Sequence, residues 1–215
     1  DGLESRGLGD VYKRQNSCCS HPLSSDSESD LIDASGVKRA AIRKLHQELG
    51  ISPDELSLED FHFVTKMMYS ARMNADWIER EIDHILVIQA DVNIKINQNE
   101  VSEIKWVSKQ ELHHILAGDI DIGGEIAPWF RCIAERVMTD EWWDSVSNLD
   151  RIVELRDDLI HDMGDVSDML STATGAGLNT SIMEVKPLVE RRISDSLCAS
   201  KHSRLSNAMM HLIEG

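Results

Sequence analysis

The sequence predicts an α/β fold, a mixed sheet with helices on both faces, and three observations carry that prediction. Val37, Ala41, Leu45 and Leu49 recur at every fourth position and stop at Gly50, the pattern of a buried helical stripe closed by a left-handed residue. Phe61-His62-Phe63-Val64-Thr65-Lys66-Met67-Met68-Tyr69 and Ile85-Leu86-Val87-Ile88 are rich in the β-branched and aromatic residues that fit a pleated surface. Helical and strand patterns interleave along the chain, the order expected where helices cover a sheet.

Residues 1–15 carry no apolar periodicity, and Ser5-Arg6-Gly7-Leu8-Gly9-Asp10-Val11-Tyr12-Lys13-Arg14-Gln15 resembles a translated sequencing adapter. They are expected to be foreign to the fold. Residues 16–149 are expected to form one domain. Within it, residues 24–35 are a Ser/Asp/Glu-rich loop, 37–49 are the helix, and 51–60 are a turn-rich connection around Pro53. The strand over 61–69 follows. Residues 76–90 open on Glu79-Arg80-Glu81 and pass into the apolar run, so this strand starts at a sheet margin and ends buried. A third strand covers 104–107. Ser108-x-x-Glu111 is a capping box that starts a helix over 108–117. Pro128 suits a first helical turn and opens the last helix of the domain, over 128–143. Beyond Leu149 the composition changes. An acidic helix and a Gly/Ser/Thr/Ala linker are expected over 150–180, and a helical tail over 181–215 with helical patterns at 183–197 and 203–213.

Composition excludes several classes of partner. In 215 residues there are 38 acidic against 22 basic side chains, a formal charge of −16. Nucleic acid and anionic membrane are therefore not expected, and a phosphate-ester substrate would need cations to mediate its binding. Cys18, Cys19, Cys132 and Cys198 show neither framework spacing nor a CxxC zinc pattern and read as free thiols of a reducing compartment. That suits the cytoplasm, or a plastid or peroxisome if a targeting segment accompanies the chain. No apolar run has transmembrane length.

The residues richest in chemistry lie in two short segments. Cys19 and His21 are two apart, as are Glu79 and Glu81, so in extended backbone each pair leaves on one side. Side by side, the two pairs would make a cup of thiol, imidazole and two carboxylates. Such a cup can transfer protons and can hold a hard divalent ion. From spacing alone the ordinary reading stays open and is the more frequent one, a Cys pair as small hydrophobes and Glu-Arg-Glu as a solvated strand edge.

Four motifs in one order take the reading further. Asn16-Ser17-Cys18-Cys19-Ser20-His21-Pro22-Leu23, the helix from Gly36 to Ile51, Glu79-x-Glu81-Ile82-Asp83, and Pro128-Trp129-Phe130 with the closing Trp142-Trp143-Asp144 together resemble type I isopentenyl-diphosphate isomerase. The resemblance covers about residues 16–149 and implies a Nudix-like mixed sheet between helices. It further implies that Cys19 takes a proton from C2 of the substrate and that Glu81, beside Tyr69, delivers one to C4. By the same resemblance His21, Glu79 and Glu81 bind a divalent metal (Mg²⁺, Mn²⁺ or Zn²⁺), Glu48 binds the Mg²⁺ of the diphosphate, and Ser20 and Lys44 contact the substrate. Trp129 would face the cationic intermediate, since an indole ring stabilises positive charge without trapping it.

Departures from the family are equally informative. A Nudix box ends Arg-Glu-x-x-Glu-Glu-x-Gly, whereas Arg43-Lys44-Leu45-His46-Gln47-Glu48-Leu49-Gly50 keeps Glu48 alone of the three carboxylates, which weakens metal-assisted hydrolysis. In the family, strands preceding the Cys motif bring two further His ligands and an Arg and a Lys for the diphosphate. The domain is thus expected to be incomplete at its N-terminus and this 215-residue chain to be inactive or nearly so. Residues 185–190 and 205–215 weakly resemble the opening helices of a trans-prenyl diphosphate synthase, a sensible fusion partner because it consumes the isomerase product. A Nudix hydrolase and a non-catalytic Nudix-fold scaffold are the competing readings.

Overall fold

The computed structural model describes residues 13–72, 76–146, 148–167, 180–183 and 204–214. In chain order the elements are β1 (Lys13–Gln15), β2 (Cys19–Ser20), α1 (Ser35–Leu49), β3 (Phe61–Arg72), β4 (Ile78–Asp91), β5 (Glu103–Trp106) and α2 (Lys109–Ala117). They continue with β6 (Glu125–Ile126), α3 (Pro128–Arg136), α4 (Asp140–Ser145), α5 (Leu149–Glu154), β7 (Ile160–Asp165), β8 (Thr180–Met183) and β9 (Arg204–Glu214). Two sheets result, one in the order β5-β8-β1-β6 and one in the order β2-β9-β4-β3-β7. The first is parallel throughout, while the second mixes both senses, so the expected mixed sheet is present.

The middle of β4 is buried on both faces, which is why it reads as a continuous apolar run. Leu86 and Ile88 pack with Val37, Ala41, Leu45 and Leu49 of α1 on one face. On the other, Ile85 and Val87 pack with Leu112 of α2, Trp129 and Ile133 of α3, and Trp142 of α4. In β3 the alternation changes partway. Phe61 and Phe63 face α1, yet Met67, Tyr69 and Ala71, all odd-numbered too, face the opposite core. A register shift between Phe63 and Thr65 explains this, because one extra residue in a strand moves everything after it to the other face.

The end of α1 follows the sequence. Gly50 takes φ 64° and its N–H closes on the His46 carbonyl; an added Cβ would run into the Lys95 carbonyl oxygen. At the start of the helix, Gly36 lies so close to the Glu28 carbonyl that no side chain fits. The Ser108 capping box of α2 is formed as expected, with the Ser108 N–H donating to Glu111 Oε2 at 2.8 Å.

Three expectations are corrected. The helix expected over 128–143 is two helices, because Thr139 Oγ1 accepts the Trp142 N–H and caps α4 anew. The acidic helix is confined to α5, and the residues after it form β7, which runs parallel along β3. The tail pattern at 203–213 is the strand β9, not a helix. It lies antiparallel along β4, whose backbone edge outweighs the helical preference of Leu, Met and Ala. Met183 ends the strand β8, while 184–203 fall outside the described residues, as does the first part of the prenyl-synthase echo. Lys13–Gln15, expected to be foreign to the fold, form β1, with the Arg14 carbonyl accepting the Ala127 N–H at 2.8 Å. A backbone ladder makes no demand on side-chain identity.

Candidate active site

The register of β3 against β4 lays the floor of the site. Tyr69 stands opposite Glu81, and Ala71 opposite Glu79. Since side chains alternate, Tyr69, Glu79, Glu81 and Asp83 leave the sheet on one face, the face to which the β3 bulge turned Tyr69. The Tyr69 hydroxyl donates to Glu79 Oε1 at 3.0 Å and lies 3.4 Å from Glu81 Oε2. Burial first, then the charges of Asp83, Glu79 and Glu81, push its pKa far up, so it stays a donor at any working pH.

The segment at β2 supplies the thiol and the imidazole. Its adjacent cysteines part company across the sheet, Cys18 into the core against α1 and Cys19 against the core that holds Tyr69 and Trp129. Burial, followed by the negative charges of Asp83, Cys18, Glu79 and Glu81, raises the Cys19 thiol well above its ordinary pKa. His21 Nε2 lies 3.1 Å from Glu81 Oε1, with the ring half exposed. Cys18, Cys19 and Cys132 are free thiols, as expected; Cys198 lies outside the described residues.

A clamp fixes this segment. Arg43 on α1 holds Glu28 with Nε at 2.7 Å and Nη2 at 2.9 Å, and the same Nη2 donates to the His21 carbonyl at 3.0 Å. Glu28 Oε2 in turn accepts the Leu23 N–H at 2.8 Å. The Arg43 hydrogen bond, more than offsetting burial and helped by Leu23, holds the Glu28 carboxyl below the usual carboxylate range.

The other expected residues are placed as follows. Trp129 opens α3 after Pro128 and is buried in the core that contains Tyr69. Ser20 lies in β2, in register with Leu212 of β9. Glu48 and Lys44 pair with each other at 2.9 Å on α1, both largely buried, and their charges act on Cys18 and not on Cys19. The structure thus joins Cys19, His21, Tyr69, Glu79 and Glu81, with Trp129 in the adjoining core, and puts Glu48 and Lys44 on the α1 side. One imidazole beside carboxylates is donor chemistry that suits a divalent ion. The set is not complete: among the described residues no three His, Cys, Asp or Glu side chains are gathered to hold an ion.

Sequence reasoning passed over Asp83, Arg43 and Glu28. Asp83 is fully buried, and its signal was present, a third acid at period two after Glu79 and Glu81. Glu28 sits in a polar loop fifteen residues from Arg43, with no spacing rule to reveal the pair.

Residues 33–130 match the family described as NUDIX domain. The chain is 38% identical over 139 residues to isopentenyl-diphosphate Delta-isomerase 1 of Mesocricetus auratus, covering 65% of this chain and 61% of that protein. It is 41% identical over 144 residues to isopentenyl-diphosphate Delta-isomerase of Dictyostelium discoideum, covering 65% and 59%. With isopentenyl-diphosphate Delta-isomerase II, chloroplastic, of Arabidopsis thaliana the identity is 40% over 133 residues, covering 61% and 46%. The matched stretch spans about half to three fifths of these relatives. No helix among the described residues is long and apolar enough to cross a membrane. Residues 33–130 are thus similar to a NUDIX domain, and the matched stretch is similar to the isopentenyl-diphosphate Delta-isomerases.

Proposed function

We propose that the protein interconverts isopentenyl and dimethylallyl diphosphate, a step of isoprenoid biosynthesis. The observation that carries this reading is a single cluster in which the buried Tyr69 bonds the partly buried Glu79 and Glu81 beside the Cys19 thiol. In the forward direction Glu81 gives a proton to C4 of the alkene, positive charge develops at C3, and the Cys19 thiolate takes a proton from C2. The double bond then lies between C2 and C3. The reverse direction starts from the thiol and the carboxylate. Burial and the surrounding acids raise that thiol above its ordinary range. Tyr69 holds the two carboxylates in place. Trp129 presents an indole to the developing cation, and Ser20 and Lys44 contact the substrate.

Glu48 would hold the Mg²⁺ that offsets the diphosphate charge, and His21, Glu79 and Glu81 would share the second divalent ion that orders the acids. A bound divalent ion takes roughly four to six donors. The described residues gather fewer than three. We therefore infer that these 215 residues by themselves turn over slowly or not at all. A prenyl diphosphate synthase in the same polypeptide would use the product as its starter; a transcript that continues from codon 215 into a Gly-Lys-Arg loop and an Asp-rich motif would establish it.

The test is isomerisation of isopentenyl diphosphate with Mg²⁺, by this chain and by the chain preceded by the first strands of a relative. Conversion by the extended chain, weak or absent in the shorter one and abolished by Cys19→Ala, is the expected result. Undiminished conversion in the Cys19→Ala variant overturns the mechanism. Release of inorganic phosphate or pyrophosphate without isomerisation would favour the hydrolase, a reading that the lone, Lys-paired Glu48 of the box disfavours.

A further inference from the structure

Between β1 and β2 the chain leaves one sheet and enters the other, since β1 belongs to the parallel sheet and β2 to the mixed one. Asn16, Ser17 and Cys18 make the crossing, with a bend at Ser17, and they are 1%, 1% and 0% exposed. Cys19 follows at once. Its own backbone support is slight, because β2 is two residues long and is in register with β9 at Cys19 and Ser20. The direction in which its thiol leaves therefore depends on what holds the chain on either side.

On each side a side chain holds a main-chain carbonyl. After Cys19, Arg43 Nη2 donates to the His21 carbonyl at 3.0 Å. Before it, Asn16 Nδ2 donates to the Cys18 carbonyl at 2.8 Å, across the bend at Ser17. The carbonyl that Asn16 holds belongs to the peptide group that ends on the Cys19 nitrogen and α-carbon, and that group is a rigid plane. Turning the plane would swing the Cys19 Cβ, and with it the thiol, away from Tyr69, Glu79 and Glu81. Ser17 does not share this task, because its Oγ is buried with no partner among the described residues.

The other end of the Asn16 amide shows which of its properties the position uses. Oδ1 is buried and meets no donor among the described residues. A buried amide satisfied at one end only stabilises a fold less than an apolar side chain of the same size, so packing alone would favour leucine here. Leucine cannot hold the Cys18 carbonyl. We propose that Asn16 is a positioning residue for Cys19, holding the Cys18 carbonyl so that the thiol is presented to the cluster of Tyr69, Glu79 and Glu81. The role rests on Cys19 moving a proton in the proposed isomerisation, yet the hold on the thiol is measurable without turnover.

The experiment compares Asn16→Leu and Asn16→Asp with the unaltered protein. Leucine keeps the volume and aspartate the shape, and neither leucine nor a carboxylate has a donor. In the 215-residue chain at pH 8, iodoacetamide should label Cys19 roughly fivefold faster in both variants, while Cys132, buried at 0% exposure, keeps its rate and the Asn16→Leu variant keeps its urea midpoint. In the chain preceded by the first strands of a relative, kcat of Asn16→Leu should fall on the order of a hundredfold with KM within about twofold, because a misdirected thiol impairs proton transfer and not binding. Unchanged Cys19 labelling in both variants overturns the proposal, as does faster labelling shared by Cys132 together with a lower urea midpoint, which would make Asn16 a packing residue only. Full kcat in the Asn16→Leu variant overturns it as well. Absence of turnover in the unaltered extended chain counts against the isomerase reading instead, and the labelling rates then decide on Asn16.

Discussion

At the scale of single residues the two raised thiols and the Arg43 clamp make the sharpest claims. Cys18 and Cys19 are both raised, burial being the first cause in each. A raised thiol keeps its proton in the fold after the unfolded chain has lost it. Stability from this source is therefore complete below the unfolded thiol value, about 8.5, and declines as pH rises from there toward the folded values. Urea midpoints should fall between pH 7.5 and 9.5, and a double Cys→Ser variant should lose most of that decline. At pH 8, iodoacetamide should label Cys19 on the order of tenfold more slowly in the native than in the urea-unfolded chain, since the thiolate is the nucleophile. Equal rates would mean that Cys19 is neither withdrawn from water nor set among these acids. Arg43→Ala leaves the buried Glu28 carboxylate without its guanidinium and releases the His21 carbonyl. The loss of stability should be about 3 kcal/mol by urea unfolding. A loss below about 1 kcal/mol, the range of exposed pairs, would show the clamp to be solvated.

At the scale of elements, most of the site's frame was legible in the sequence and its decisive detail was not. The α1 stripe, Gly50, the Ser108 box and the apolar run of β4 all announced themselves because each rests on local spacing. The bulge that turns Tyr69 toward Glu81 leaves no such mark: Val64 is an ordinary strand residue, and only pairing with β4 shows that it is the extra one. Thr139 could cap or continue a helix; in the fold its hydroxyl accepts the N–H of the buried Trp142 and caps α4. Gly36 belongs to the legible part and can be tested. An alanine there would drive its Cβ into the Glu28 carbonyl, on the same loop that the Arg43 clamp secures. Gly36→Ala should therefore cost about 2 kcal/mol despite the better helix propensity of alanine, because overpacking against backbone outweighs a gain of under about 1 kcal/mol. A neutral or stabilising result in thermal unfolding would mean that the start of α1 can shift away from the loop.

At the scale of the whole molecule, the tail was read as helix because local preference was all that could be read. What the sequence could not display was an open edge on β4. β9 fills it with nine register pairs, from Ile82 opposite Glu214 to Asp91 opposite Arg204, and on its far side pairs with β2 at Cys19 and Ser20. Among the described residues β9 is the only strand with which β2 pairs, so the segment bearing the thiol reaches the strand bearing the carboxylates across it. Two inter-strand steps of about 4.8 Å set their separation. Removing residues 204–215 takes away that spacer while leaving Cys19, Tyr69, Glu79 and Glu81 in the chain. The shortened protein should lose hydrogen-exchange protection at the β4 amides that bond β9, keep it at those that bond β3, and expose Cys19 to iodoacetamide at a rate closer to that of the unfolded chain. Uniform protection along β4 together with an unchanged alkylation rate would show that the tail strand is dispensable and that the Arg43 clamp alone carries the Cys19 segment.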